Sequence, residues 1–278
     1  MNLVDVAAAL MSALLHAGWN AAVKNSGDPA RAMTLQMLLG ALLAVPVLFW
    51  AGLPDMASWK WIAASTLLNT VTVMALLRAY ELGGFGLVYP IVRASAVLLV
   101  VPLAALLAGD RIGLAALAGI AVIAAALGVL AWDAARDRSI TLATLAWTLL
   151  AGLGTAAYIL CDAQGVRAAG SPLAYGLAVS ITNAAAMCWR QRHAGSPFAH
   201  FGQVWPVALP TAVAAMVSYL LIIWVWSHAA IALASALRDT SAIFAILIAV
   251  VWLKEPFTRT RIAAVLLAAA AIPLLRLG

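Results

Sequence analysis

The chain is divided almost end to end into about ten apolar segments, each of the length that crosses roughly 30 Å of hydrocarbon. They lie near residues 3 to 23, 32 to 52, 61 to 80, 86 to 108, 113 to 132, 141 to 163, 173 to 189, 204 to 227, 232 to 253 and 260 to 276. Segments of this kind are helices, because a backbone in lipid must satisfy its own hydrogen bonds. The connections are too short to hold a separate soluble domain. Composition agrees: 66% of the residues are hydrophobic, 9% are charged and the mean hydropathy is +1.05, whereas soluble domains carry roughly a quarter charged residues. No Lys or Arg precedes the first segment, and its core carries His16, Trp19 and Asn20, so it is expected to stay as a membrane helix and not to be cleaved.

Two stretches repeat one pattern: IVRASAVLLVVPLAALLAGD at 91 to 110 and ALRDTSAIFAILIAVVWLKE at 236 to 255. An offset of 145 residues places Arg93 on Arg238 and Asp110 on Glu255. The unit is about five helices, and an odd number of crossings makes the second copy enter the membrane from the opposite face. The predicted fold is therefore an all-α membrane protein of ten transmembrane helices, built as two inverted five-helix repeats over 1–135 and 139–278. Their boundary is the polar DAARDRS stretch at 133 to 139, and RQRHAGSPFAH at 190 to 200 is a loop inside the second unit. Predicted helices 5 and 10 carry small residues four apart (Ala115 with Gly119, Ala124 with Gly128, Ala264 with Ala268), which suits close backbone packing of a scaffold. GGFG at 83 to 86 opens the fourth helix, and Pro90 and Pro102 are expected to break it, which suits a moving gate; the second copy lacks these prolines, so its gate is expected to differ in stiffness.

Polar and aromatic residues fall in stripes at 3.6 residues per turn. His16, Trp19 and Asn20 share one side of helix 1, and Thr155, Tyr158 and Asp162 share one side of helix 6. Asn69, Thr72 and Tyr80 line helix 3, and Tyr219 and Trp226 line helix 8. Stripes on helices 1, 3, 4, 6, 8 and 9 point to one central cavity, and the other helices lack them. Arg93 and Arg238 each lie about eight residues into their helices, roughly 12 Å along the axis. An arginine at that depth marks a pathway or a binding site, or else pairs with an acid such as Asp239. Two converging guanidiniums suit phosphate, phosphonate or carboxylate, which Arg grips bidentately. Trp19, Tyr158 and Tyr219 would then supply aromatic walls, and His16, Asn20 and Asn69 orienting hydrogen bonds. Asn69, Thr72 and Thr155 equally suit plain interhelical bonding. If protons are coupled, Asp162, Asp239 and His16 are the titratable groups near the cavity.

The four histidines are scattered without an HExxH pattern, Cys161 and Cys188 lack metal-like spacing, and no GxxxxGK loop is present. An enzyme is disfavoured, and no cofactor, metal or nucleic-acid partner is expected. The reading is a secondary transporter of a small anionic or zwitterionic metabolite. Its alternatives are a non-transporting membrane receptor or assembly partner, and an amino-acid or drug exporter in which the arginines play no part. Partners are the bilayer, the small-molecule substrate and a coupling ion or proton; oligomeric state is open.

Ten short hydrophobic helices in two repeats, with Asp110 and Glu255 ending the fourth helix of each and an Ala-rich helix following, resemble the EamA branch of the drug/metabolite transporter superfamily. The resemblance implies a secondary carrier of a bacterial-type inner membrane with a central cavity and alternating access. Val97 and Ala242 stand where that family often has proline, and no acid occupies mid helix 1, unlike the small multidrug pumps. HAGWNAAVK at 16 to 24, with the YPIVRAS and ALRDTS segments, resembles a subgroup of hydrophobic permeases linked with phosphonate utilisation. In this helix count the termini share a face with Lys60, Arg111, Arg167 and Arg276, while the opposite face carries most of the Lys and Arg. The charge count places both termini outside the cytoplasm, whereas the resemblance implies cytoplasmic termini.

Overall fold

The computed structural model describes residues 1–83, 85–109, 112–136, 141–199, 201–252 and 258–277. Asp110 and Glu255, the acids of the repeated pattern, lie outside the described residues, as does the second half of the 133–139 linker. The described residues are all-helical, without a strand: α1 Leu3–Lys24, α2 Pro29–Ala51, α3 Trp59–Gly83, α4 Phe85–Ala108, α5 Leu114–Arg136, α6 Leu142–Arg167, α7 Pro172–Arg190, α8 Phe201–Trp226, α9 Ile231–Asp239, α10 Ser241–Trp252 and α11 Arg259–Leu277. Among these residues eight segments are long and apolar enough to cross a bilayer, α9 and α10 contributing to one of them. Helix α7, 19 residues long, falls short because Ser180, Thr182 and Asn183 dilute it, and α11 keeps an apolar run only over 262–272.

Local chemistry sets the helix starts. Asn2 and Asp5 form a reciprocal capping box at α1. Asp28 caps α2 ahead of Pro29, and Ser171 caps α7 ahead of Pro172, each serine or aspartate oxygen taking an orphan N–H while proline fills a position that needs no donor. Gly170, at φ +68, makes the left-handed turn that precedes Ser171.

The break expected in the fourth helix is absent. Helix α4 runs through Pro90 and Pro102 without interruption, since neighbouring helices can absorb the lost backbone bond. The interruption lies instead in the second stretch of the sequence pattern, at Thr240, where α9 gives way to α10. There the Thr240 hydroxyl donates to the Leu237 carbonyl at 2.6 Å and the Thr240 N–H donates to the same oxygen at 3.3 Å, a local bonding pattern that competes with the α-helical ladder. Arg238 and Asp239 are the last residues before this break.

Helix α3 packs on α6, α1 on α8, α2 on α7 and α5 on α11. Helix α4 packs on α6, and α1 packs on α9 and α10. Small and hydroxyl residues make the close approaches. Ser12 and Ser218 donate to each other's carbonyls at 2.7 and 2.8 Å across α1 and α8. Gly154 brings α6 so near α3 that a Cβ there would stand 2.2 Å from Thr72 Oγ1. A Cβ at Gly119 of α5 would stand 3.1 Å from Leu274 and Leu275 of α11, in keeping with the small-residue packing expected of those helices.

Candidate functional site

A cavity of about 150 Å³ opens among α1, α2, α3, α4, α6, α7, α8 and α9. It lies against the middle of α3, α6, α7 and α8 and reaches toward the α1–α2 connection. An engineered apolar cavity of this volume holds a benzene-sized molecule, which bounds the ligand to a handful of heavy atoms. All eight residues that the sequence singles out for substrate contact line it: His16, Trp19 and Asn20 from α1, Asn69 from α3, Arg93 from α4, Tyr158 from α6, Tyr219 from α8 and Arg238 from α9. Asp162 and Asp239 sit just behind this lining, each bonded to a lining residue.

Two helices are added that the stripe pattern excluded. Gln36 and Gly40 of α2 and Ser180 and Asn183 of α7 face the cavity. Their signal in the sequence is weak: α2 carries one glutamine among methionines and leucines, and Ser180 and Asn183 share one face of a helix rich in small residues.

The two arginines have different surroundings. Arg93 Nη1 donates to Asp239 Oδ1 at 3.0 Å, and both side chains are buried. Its Nη2 is in hydrogen-bond contact with His16 Nε2, and its guanidinium lies 5.1 Å from the Tyr89 ring centroid. This is the ion pair that the sequence left as the alternative to a substrate role. The Trp19 ring meets the His16 ring edge-on at 5.0 Å, and Asn20 donates to the His16 backbone carbonyl at 2.8 Å. Arg238, only 4% exposed, has no acid within ion-pair distance among the described residues. Its Nε and Nη1 have no hydrogen-bond partner there, and its guanidinium stands 5.7 Å from the Trp226 ring centroid. A desolvated cation with idle donors on a cavity wall is energetically incomplete without an anion.

Below the arginines, Asp162 accepts from Tyr175 at 3.1 Å and from Tyr219 at 2.8 Å. Farther along, Arg167 donates to the Trp226 and Ala229 carbonyls at 3.1 and 2.8 Å, and His228 Nε2 meets Asp5 Oδ1 at 2.9 Å. These bonds, with the Ser12–Ser218 contact, tie α1, α6, α8 and the α8–α9 connection together. The described residues contain no cluster of metal-ligating side chains.

No family model and no curated protein matches this chain. Among solved structures, a crystal structure of another protein superposes with a TM-score of 0.80, covering 100% of this chain and 98% of that one at 14% sequence identity. At that identity the likeness is one of fold. Fold and composition together define an all-helical integral membrane protein with a cavity among its helices lined by apolar, aromatic and polar side chains.

Proposed function

We propose that the chain is a secondary transporter of a small anionic or zwitterionic metabolite, working by alternating access in a bacterial-type inner membrane. The observation that carries this reading is Arg238: a buried guanidinium on the wall of the cavity, with two donor nitrogens, Nε and Nη1, that have no partner among the described residues. A carboxylate, phosphate or phosphonate oxygen would complete it with charge-assisted bonds. Arg93, held by Asp239, orients this end of the cavity and presents His16, so the negative group is assigned first to Arg238.

Packing symmetry supports ten spans in two inverted repeats resembling the EamA architecture. The α3–α6 contact has its counterpart in α8–α1, α4–α6 in α9/α10–α1, and α3–α7 in α8–α2, while α2–α7 and α5–α11 are their own counterparts. The close approach of Gly154 to Thr72 matches that of Ser12 to Ser218. An interface that maps onto itself when the halves are exchanged is what a duplicated, inverted unit produces.

The test is uptake of a charge-sorted solute panel, including methylphosphonate, phosphate, carboxylates and amino acids, into proteoliposomes. Saturable anion flux that Arg238→Ala abolishes in folded protein is the expected result. Ligand binding without flux would transfer the protein to the receptor class. Flux indifferent to Arg238 would move the substrate contact elsewhere in the cavity.

A further inference from the structure

We propose that Asp162 is a proton-binding site that makes this carrier an electroneutral proton–monoanion symporter. The inference rests on the carrier reading above and adds its driving force.

Asp162 is 1% exposed and lies five residues before the end of α6, about 7.5 Å along the axis. No cation stands within ion-pair distance of it among the described residues. Arg167, the nearest basic residue in sequence, is spent on the Trp226 and Ala229 carbonyls. Each helix packed on α6 presents one relevant group: Ser65 from α3, Tyr175 from α7, Tyr219 from α8 and Arg238 from α9, the last acting through space. Helix α4 presents Arg93, which is turned to Asp239 and His16, and Cys161 is the adjacent thiol on α6 itself. Two tyrosine donors from two different helices make this a built site for a carboxylate, yet a carboxylate held by neutral donors in a membrane remains costly and is neutralised readily by a proton.

Counting charges around the cavity gives the coupling. Arg93 and Asp239 cancel. Arg238 and the Asp162 carboxylate then leave the empty site neutral. When an anion occupies Arg238 the site gains one negative charge, and a proton on Asp162 restores neutrality. Anion and proton therefore favour each other's binding, and by reciprocity the coupling is the same in both directions. Both the empty carrier and the fully loaded carrier cross as neutral sites. Tyr219 is the physical link, since its hydroxyl donates to Asp162 Oδ2 while the residue lines the cavity. A protonated Asp162 has an O–H to donate, so one tyrosine must turn from donor to acceptor. In Tyr219 that change reaches the substrate.

The experiment uses proteoliposomes of the whole protein with labelled methylphosphonate, kept in the pH range where it is a monoanion, and protein-free liposomes as blank. An acid-outside gradient of one unit should drive about tenfold accumulation in wild type, with no response to an imposed membrane potential. Asp162→Asn should keep one-for-one exchange at equal pH but lose gradient-driven accumulation, and Asp162→Glu should restore it. If Asp162→Asn does not fold, the infrared carbonyl band of a protonated carboxyl, appearing in wild type on adding methylphosphonate and shifting in Asp162→Glu, carries the same test. Accumulation by Asp162→Asn equal to wild type, a flux that follows potential and ignores pH, or no ligand-induced carboxyl band, overturns the proposal while leaving the carrier intact. Absence of any flux in wild type would instead count against the carrier reading.

Discussion

At the scale of single residues, two arginines at matched places of one sequence pattern have unlike surroundings, because only Arg93 has an acid in ion-pair contact among the described residues. Arg93 is half of a buried pair, so Arg93→Ala leaves Asp239 charged and alone; a loss of about 3 to 5 kcal/mol is expected. Replacing both partners, as Arg93→Met with Asp239→Leu, should recover most of that stability, and thermal unfolding in detergent measures both. Among the described residues Arg238 has no acid in ion-pair contact, only Asp162 and Asp239 acting through space, so Arg238→Ala is expected to remove anion flux with a smaller change in unfolding temperature than Arg93→Ala. Arg238→Lys keeps the charge but loses the planar fork, and a raised half-saturation concentration in the uptake assay is the expected consequence. The positions of these arginines were legible in the sequence because ionised groups are rare in membrane helices. Their inequality was not legible: it depends on Asp239 turning to a helix 146 residues away in the chain.

At the scale of helices, hydroxyl and glycine contacts substitute for the hydrophobic drive that lipid removes. A methyl added at Gly154 would enter Thr72, so Gly154→Ala should destabilise the α3–α6 contact by about 1 to 3 kcal/mol. Thr72→Ala in the same chain should return part of that loss, a coupling that a double-mutant cycle of unfolding temperatures would expose. The break between α9 and α10 shows the limit of reading helices from proline alone. Pro90 and Pro102 pass through α4, whereas Thr240, with no ring constraint, interrupts its helix by bonding the Leu237 carbonyl. Proline states what the backbone cannot donate; whether the helix bends there depends on what the neighbours supply.

At the scale of the whole molecule, the ten-span reading turns on α11, whose apolar run is short, and on α7, which is polar enough to fall outside the membrane-length set. If α7 crosses, the N-terminus and the 191–199 turn lie on opposite faces. With Cys161 and Cys188 replaced by alanine, cysteines placed at Asn2 and Ser196 are expected to react with an impermeant thiol reagent from opposite sides of the membrane; labelling from one side would remove a crossing. By itself the sequence determined the environment and the element type, because a chain with so few charges has only lipid to live in and only helices to live there as. It also marked the residues that would be expensive in that setting, and all eight singled out for substrate contact line one cavity. Tertiary structure alone decided which arginine is neutralised, where the ninth segment breaks, and that α2 and α7 close the cavity wall. Those outcomes depend on distances between helices, set by packing of small side chains, and a hydropathy pattern carries no record of them.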